Sequence, residues 1–238
     1  MISQKTLDKL LEFDTPTICN LIELFDVRTR TAGYMDGRIR ARFPELGPIV
    51  GFASPVTVRS AARAGDGAYN WLAEHVERFA ELPGAAIVVQ QDLDSPQVAA
   101  TFGEVMCSTY QAFGAAGLVS SGAARDLDQV RALGFPVFTD GAICSHGYFH
   151  TVDIHVPVNV GGRIIHPGDL LHGDANGVTT IPHEIADELA DIADAFVAAE
   201  NIIIHTVHGK KPSVQELKDA QAESKAQVEA IVKGLKKR

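Results

Sequence analysis

The feature that most constrains the fold of this chain is a short, wholly apolar run at residues 85–89, Ala-Ala-Ile-Val-Val. A run of this length is typical of a strand buried on both faces of a parallel sheet. Segments with helical and with strand character alternate around it. Further strands are predicted at residues 48–58, 116–120 and 135–139, and helices at 67–80, at 98–112 and from Asp126 onward. The alternation predicts an α/β fold with a largely parallel inner sheet.

The two ends of the chain differ from this middle part. After Gly141, alternating apolar residues and the turn-forming clusters at 161–162, 167–169 and 173–177 predict antiparallel hairpins. Helices are predicted at 5–13, at 17–25 and from Pro182 to 204. The charged tail from Pro212 is helix-prone, and we expect it to pack on a neighbouring subunit or to stand free. The simplest organisation is one domain over residues 1–208 with a charged helical extension over 209–238.

Composition excludes several classes of protein. A formal net charge of −9 argues against binding to nucleic acid, because such affinity depends on clustered Lys and Arg. No window approaches the roughly 20 apolar residues that span a membrane, and the N-terminus lacks the pattern of a signal peptide. Cys19, Cys107 and Cys144 have no CxxC spacing and fit reduced thiols. We therefore expect a cytoplasmic protein that binds neither nucleic acid nor membranes.

Two polar segments carry the candidate chemistry. Gly103-Glu104 lies near the start of the helix that follows the strand at 85–89, and Arg125-Asp126 follows the strand at 116–120. Ligands of α/β folds collect at the carboxyl ends of parallel strands, so both segments can face one pocket. Free N–H groups at a helix start favour a carboxylate. An Arg beside an Asp offers a bidentate clamp for a carboxylate and a hard oxygen ligand for a cation such as Mg²⁺.

The same residues also fit a purely structural interpretation. Asp126 is suited to cap the helix that starts at Leu127, and Glu104 fits an ordinary solvated helix position. His146, His150 and His155 match no zinc-binding pattern and are typical of loop or interface residues. The GxSxG, GxGxxG and GxxxxGK[ST] patterns are absent, which removes the simplest cases for a serine hydrolase, a Rossmann dehydrogenase and a P-loop enzyme. Spacing alone leaves both interpretations open.

Taken in order, these motifs resemble the RraA-like family. That family includes class II 4-hydroxy-4-methyl-2-oxoglutarate (HMG/CHA) aldolases and regulators of ribonuclease E activity. The resemblance extends over residues 14–205. It rests on Gly103-Glu104, the stretch 117–126 ending in Arg125-Asp126, residues 135–138, and the segments 166–169, 173–178 and 181–182.

The resemblance implies an α/β/β swivelling sandwich that assembles as a homotrimer or homohexamer, with active sites between subunits. It implies that Asp126 holds Mg²⁺ or Mn²⁺ largely through water, and that Arg125 grips the substrate's carboxylate. Glu104 matches an acidic position that helps to hold metal-bound water. The loop through Gly103, Glu104, Val105 and Met106 matches one whose N–H groups bind the pyruvyl carboxylate.

The sequence departs from the family pattern at three places. Ser121 stands where relatives usually carry Asp, and Gln129 stands where an acid is often found. A Gly-rich stretch that commonly follows the buried strand is replaced by Gln90-Gln91-Asp92-Leu93-Asp94. The last two changes leave the distal part of the substrate open, whereas the metal site is less affected.

The resemblance implies divalent-metal-dependent retro-aldol cleavage of a 4-hydroxy-2-oxo acid to pyruvate. Arg125 and Glu104 would be its catalytic residues, and oxaloacetate decarboxylation an expected companion activity. There are two alternatives. One is a dedicated oxaloacetate decarboxylase, and the other is a non-catalytic RraA-like regulator of an RNA-processing enzyme.

Overall fold

A computed structural model describes residues 2–65, 71–209 and 211–235. Its helices are α1 (Gln4–Leu10), α2 (Thr15–Glu23), α3 (Leu72–Glu77), α4 (Glu104–Ala112), α5 (Leu127–Ala132), α6 (Ala186–Val207) and α7 (Val214–Leu235). Short 3₁₀ helices lie at Pro44–Leu46, Arg78–Glu81 and His183–Ile185. Its strands are β1 (Arg40–Ala41), β2 (Ile49–Arg59), β3 (Ala86–Asp92), β4 (Ala100–Phe102), β5 (Gly117–Ser120), β6 (Ala123–Ala124), β7 (Val137–Thr139), β8 (His150–Ile154), β9 (Val158–Val160), β10 (Arg163–Ile165), β11 (Leu170–Asp174) and β12 (Gly177–Ile181).

The main sheet has eight strands, with the order β1-β7-β5-β3-β2-β11-β12 and with β8 paired to the far end of β2. Strands β2, β3, β5 and β7 are parallel, which confirms the predicted inner sheet. Strands β8, β11 and β12 are antiparallel to their neighbours, and β9–β10 forms a separate hairpin. The antiparallel character predicted after Gly141 is therefore confirmed, and the α/β fold class with it.

Strand β3 is buried on both faces, as its apolar sequence predicts. Val88 enters one hydrophobic cluster, which α4 and α5 cover, while Ile87 and Val89 enter another beneath the β9–β10 hairpin. A third cluster joins α1, α2 and α6 to the half of β2 that contains Phe52. Side chains of successive residues in a strand point to opposite faces of the sheet, so alternate residues of this one apolar run pack into two different hydrophobic clusters.

The N-terminal helices and the long C-terminal helices follow the predicted pattern. Asp14 caps α2 by accepting a hydrogen bond from the Thr17 N–H at 2.8 Å, and Pro16 lies in the first turn. The alternative that the tail stands free was wrong, whereas its packing on a neighbouring subunit stays a prediction. Helix α7 packs along α6 of the same chain and buries Ala220 and Ser224. The division of the chain at residue 208 stays a prediction.

Several predicted elements have different bounds in the structure, and three of them differ most. The helix predicted at 98–112 begins at Glu104, because residues 100–102 form β4 and pair in parallel with β6. The alternating stretch 152–160 breaks at His155, whose φ of 54° ends β8. The helix predicted at 67–80 is observed as α3 and a following 3₁₀ turn, and its residues 67–70 lie outside the described residues.

A chain of buried polar side chains ties the helices to β2. The Ser54 hydroxyl lies 2.9 Å from His75 Nε2 and 3.2 Å from His155 Nε2, and His75 Nδ1 lies 3.2 Å from the Tyr110 hydroxyl on α4. His75 is 1% exposed. Burial lowers the pKa of His75 from its ordinary value to about 4. The folded protein therefore keeps this imidazole neutral.

This burial predicts a loss of stability in mild acid. As the pH falls from 6.5 to 4, the unfolded chain binds a proton at His75 before the folded chain does, so the free energy of unfolding should decrease. The contribution is on the order of 3 kcal/mol. We expect His75→Gln to lose that part of the pH dependence in urea unfolding. His205→Gln, at an exposed position on α6, should retain it. An unchanged pH profile for the His75 variant would contradict the account.

Candidate active site

The short parallel pair β4–β6 brings the two predicted polar segments together. Ala100 is paired with Ala123 and Phe102 with Ala124, and the Arg125 N–H donates to the Phe102 carbonyl at 3.1 Å. Because the two strands are parallel, the segments that follow them begin at the same edge. Gly103-Glu104 and Arg125-Asp126 therefore emerge side by side, as the argument from strand ends predicts.

Gly103 is required for the close approach of these segments. Its φ of −162° is an extended conformation open to any residue, so space is the constraint. A Cβ atom here would overlap Asp126 Oδ2 and lie 2.9 Å from Arg125 Cγ. The missing side chain lets the Arg-Asp pair lie directly against the start of α4.

Asp126 does not cap its own helix. Its φ is 53°, a left-handed conformation uncommon for a residue other than glycine, and its side chain makes no capping bond to α5. Instead, Oδ2 accepts a hydrogen bond from the Glu104 backbone N–H at 3.1 Å. Arg125 Nε lies 3.6 Å from the same oxygen. The helix-cap alternative is therefore wrong, and the carboxylate is directed at the start of α4.

Arg125 lies between two cavities. One, of about 270 Å³, is lined by Gly103, Val105, Met106, Arg125, His146 and Phe149, together with residues of β4. The other, of about 290 Å³, is lined by residues 124–127 and 142–144. The side chains of Arg125 and Asp126 are each 35% exposed, so both can reach a ligand.

The structure brings most of the predicted site residues to one cleft. Gly103, Val105, Met106 and Arg125 line the first cavity, and Asp126 lines the second. Glu104 is exposed, and its backbone N–H is already bound to Asp126, so it is not a free donor. The next two N–H groups of α4, those of Val105 and Met106, have no partner within the helix by its geometry and remain suited to an anion.

Sequence reasoning missed His146 and Phe149, which line the cavity beside Arg125. The sequence predicts a loop or interface residue at His146, because it fits no metal-ligand spacing, and the residue does lie in a loop. Both residues lie on the segment that follows β7, the next parallel strand along the chain. The rule that ligands collect at carboxyl ends of strands, applied to this third strand, would have found them.

The donor set fits a cation that keeps most of its water. Within residues 2–65, 71–209 and 211–235, no three His, Cys, Asp or Glu side chains lie close enough together to enclose a metal. Asp126 supplies one carboxylate, and no donor contacts its Oδ1 in that part of the chain. Magnesium is commonly held by one or two carboxylates plus waters and substrate oxygens, so a single Asp beside an anion-binding Arg is compatible with it.

The fold and the cleft define an α/β protein whose candidate site lies beyond the carboxyl ends of short parallel strands. A family model described as RraA-like, Aldolase/RraA, matches residues 15–180. The chain belongs to the RraA-like family. It is 33% identical, over 183 residues, to a Halalkalibacterium halodurans protein named "Putative 4-hydroxy-4-methyl-2-oxoglutarate aldolase", covering 76% of this chain and 80% of that one.

Solved structures have the same fold. A protein of Pseudomonas syringae pv. tomato, described as uncharacterized, superposes with a TM-score of 0.71 and 23% identity, covering 93% of this chain and 94% of that one. Streptomyces coelicolor RraAS2, described as an unusual member of the RNase ES inhibitor RraA protein family, superposes with a TM-score of 0.69 and 23% identity. That match covers 87% of this chain and all of RraAS2.

In the described part of the chain, no helix is long and apolar enough to cross a membrane.

The close contact at Gly103 predicts that adding one methyl group there lowers the free energy of unfolding. Gly103→Ala should lower the free energy of unfolding by about 1–3 kcal/mol, because the new atom forces Arg125 and Asp126 away from α4. Gly37→Ala is the matched control, since a Cβ there meets nothing within 4 Å. That control should change stability by less than about 0.5 kcal/mol. Equal values for the two variants in urea unfolding would refute the close approach.

Proposed function

We propose that this chain is a divalent-metal-dependent aldolase that cleaves a 4-hydroxy-2-oxo acid and releases pyruvate. One observation carries the proposal. An arginine and a carboxylate meet the start of α4, with Asp126 Oδ2 bound to the Glu104 N–H. The Arg125 guanidinium and the unused N–H groups of α4 then lie at one cavity, and the Asp126 carboxylate lies at the other cavity that Arg125 lines. The similarity to the Halalkalibacterium halodurans protein supports the same class of reaction.

Each residue has a distinct task in this proposal. The Arg125 guanidinium binds the substrate's C1 carboxylate, and the N–H groups of Val105 and Met106 share that negative charge. Asp126 holds Mg²⁺ or Mn²⁺, which acts as a Lewis acid on the keto group when bound. Breaking the C3–C4 bond turns the C4 hydroxyl into a carbonyl, releases the hydroxyl proton to water and leaves the electron pair at C3. Glu104 holds the water that returns a proton to C3.

Oxaloacetate decarboxylation also leaves an electron pair at C3 of pyruvate, so we expect it as a companion activity.

We further propose that the active protein is a homotrimer or homohexamer with its cleft at a subunit interface. The rival function is regulation of an RNA-processing enzyme without catalysis.

The direct test is a pyruvate-release assay over a panel of 4-hydroxy-2-oxo acids and oxaloacetate, with and without a chelator. We expect release that is lost on chelation and restored by Mg²⁺ or Mn²⁺. Asp126→Asn should lower the rate by about 10²–10³ at saturating metal, comparable to the loss of one preorganised charge stabiliser. Asp128→Asn, with a 95% exposed side chain on α5, is the control and should keep the wild-type rate.

Two outcomes would contradict the proposal. The first is a fully active Asp126 variant after chelator treatment, which would remove the metal assignment. The second is a wild-type protein that releases no pyruvate from any substrate of the panel but binds an RNA-processing enzyme. That result would favour the regulatory function.

A further inference from the structure

One cavity of the described chain is separate from the Arg125 cleft. It has a volume of about 550 Å³ and shares no lining residue with the two cavities beside Arg125. Asp92, Ser121 and Asp140 line it, and they lie at or just beyond the carboxyl ends of β3, β5 and β7. Parallel strand ends are where α/β folds bind ligands, and volumes of 300–1,000 Å³ are typical of ligand pockets.

Asp92 is the unusual residue of this cavity. Its side chain is buried, with 9% exposure, and its Oδ1 accepts the Asp94 N–H at 3.0 Å. Its Oδ2 has no hydrogen-bond partner in the described residues. Burial raises the pKa of this carboxyl above its ordinary value. An unsatisfied buried oxygen is costly, and a donor brought by a ligand would remove that cost.

The charges around Asp92 favour a cation as that ligand. Asp94 and Asp140 line the same cavity. The one cationic side chain in its lining, Arg38, is paired with Asp36 at 2.8 Å and also interacts electrostatically with Asp140. Arg59, which is outside the lining, interacts electrostatically with Asp92. Asp94 is also a structural residue, because its Oδ2 accepts the N–H groups of Ser60 and Ala61. The three carboxyl groups of the lining therefore outnumber its one cationic side chain.

An organic cation fits better than a metal ion. The carboxylates are dispersed, since no three acidic, His or Cys side chains of the described residues converge as metal ligands do. Two glutamines line the same wall. Gln97 donates from Nε2 to the Ser121 carbonyl, and Gln91 accepts the Asn159 N–H at 2.7 Å. Their remaining amide atoms can take part in hydrogen bonds with a polar ligand of several atoms.

Two places at which the sequence departs from the family pattern meet in this cavity. They are Ser121 and the segment Gln90–Asp94, of which Gln91, Asp92 and Asp94 are lining residues. The Asp92 N–H donates to the Ser121 hydroxyl at 3.0 Å, so the two features are in contact. We propose that this cavity is a second ligand site, which binds a small organic cation through an ammonium or guanidinium group on Asp92 and Asp140.

Isothermal titration calorimetry of the full chain tests the site with agmatine, spermidine and MgCl₂ as probes. We expect at least one organic cation to bind once per chain. Asp92→Asn should weaken that binding by about 10- to 100-fold, the cost of losing a hydrogen bond to a charged group. Asp128→Asn removes an equal charge at an exposed position and should leave the affinity within about twofold, as expected for a screened surface charge.

Three results would overturn the inference. These are no saturable binding of either organic cation, equal affinity in the Asp92 and Asp128 variants, or Asp92-dependent binding of Mg²⁺ in place of the organic probes. If the Asp92 variant fails to fold by circular dichroism, Asp140→Asn replaces it with the same expectation. None of these measurements depends on pyruvate release, so the second site and the aldolase proposal can fail separately.

Discussion

The hydrogen bond from the Glu104 N–H to Asp126 Oδ2 is the contact on which the arrangement of the Arg125 cleft depends. It joins the start of α4 to the end of β6, and it is possible because Gly103 carries no side chain between them. The same contact turns Asp126 away from its own helix, in a backbone conformation that costs energy for a residue with a Cβ. Strain of this kind persists only where surrounding contacts hold it, and the parallel pairing of β4 with β6 supplies those contacts.

The cavity lined by Arg125 and the start of α4 differs in character from the cavity lined by Asp92. The one beside Arg125 has an arginine and the N-terminus of α4, both of which attract anions. The one beside Asp92 has carboxylates whose only cationic neighbour in the lining is already paired. Residues 121–126 run between them, with Ser121 in the acidic cavity and Arg125 in the other. The same edge of the sheet can therefore carry one cavity that attracts anions and another lined by carboxylates. The side chains that follow each strand decide which.

The sequence predicts the parts of the fold that repeat a simple pattern. The apolar run before Gln90, the N-terminal helices and the hairpins after Gly141 are local signals, and the structure confirms them. Strand β4 could not be predicted in this way, because residues 100–102 are apolar enough for a helix and become a strand only by pairing with residues 123–124. The position of α7 depends likewise on a contact with α6 that no local pattern contains. At the Arg125 cleft, the positions of Gly103, Arg125 and Asp126 followed from strand ends, whereas His146 and Phe149 required knowledge of how residues 141–149 fold back.

The central claim is that Asp126 holds the metal ion while Arg125 binds the carboxylate of the substrate that the same metal contacts. The most direct measurement is the anomalous difference map of a crystal of this protein grown with Mn²⁺ and pyruvate. The account predicts a manganese peak next to the Asp126 carboxylate, directly or through water, with the pyruvate carboxylate on the Arg125 guanidinium. A manganese peak elsewhere, with pyruvate bound away from Arg125, would contradict it.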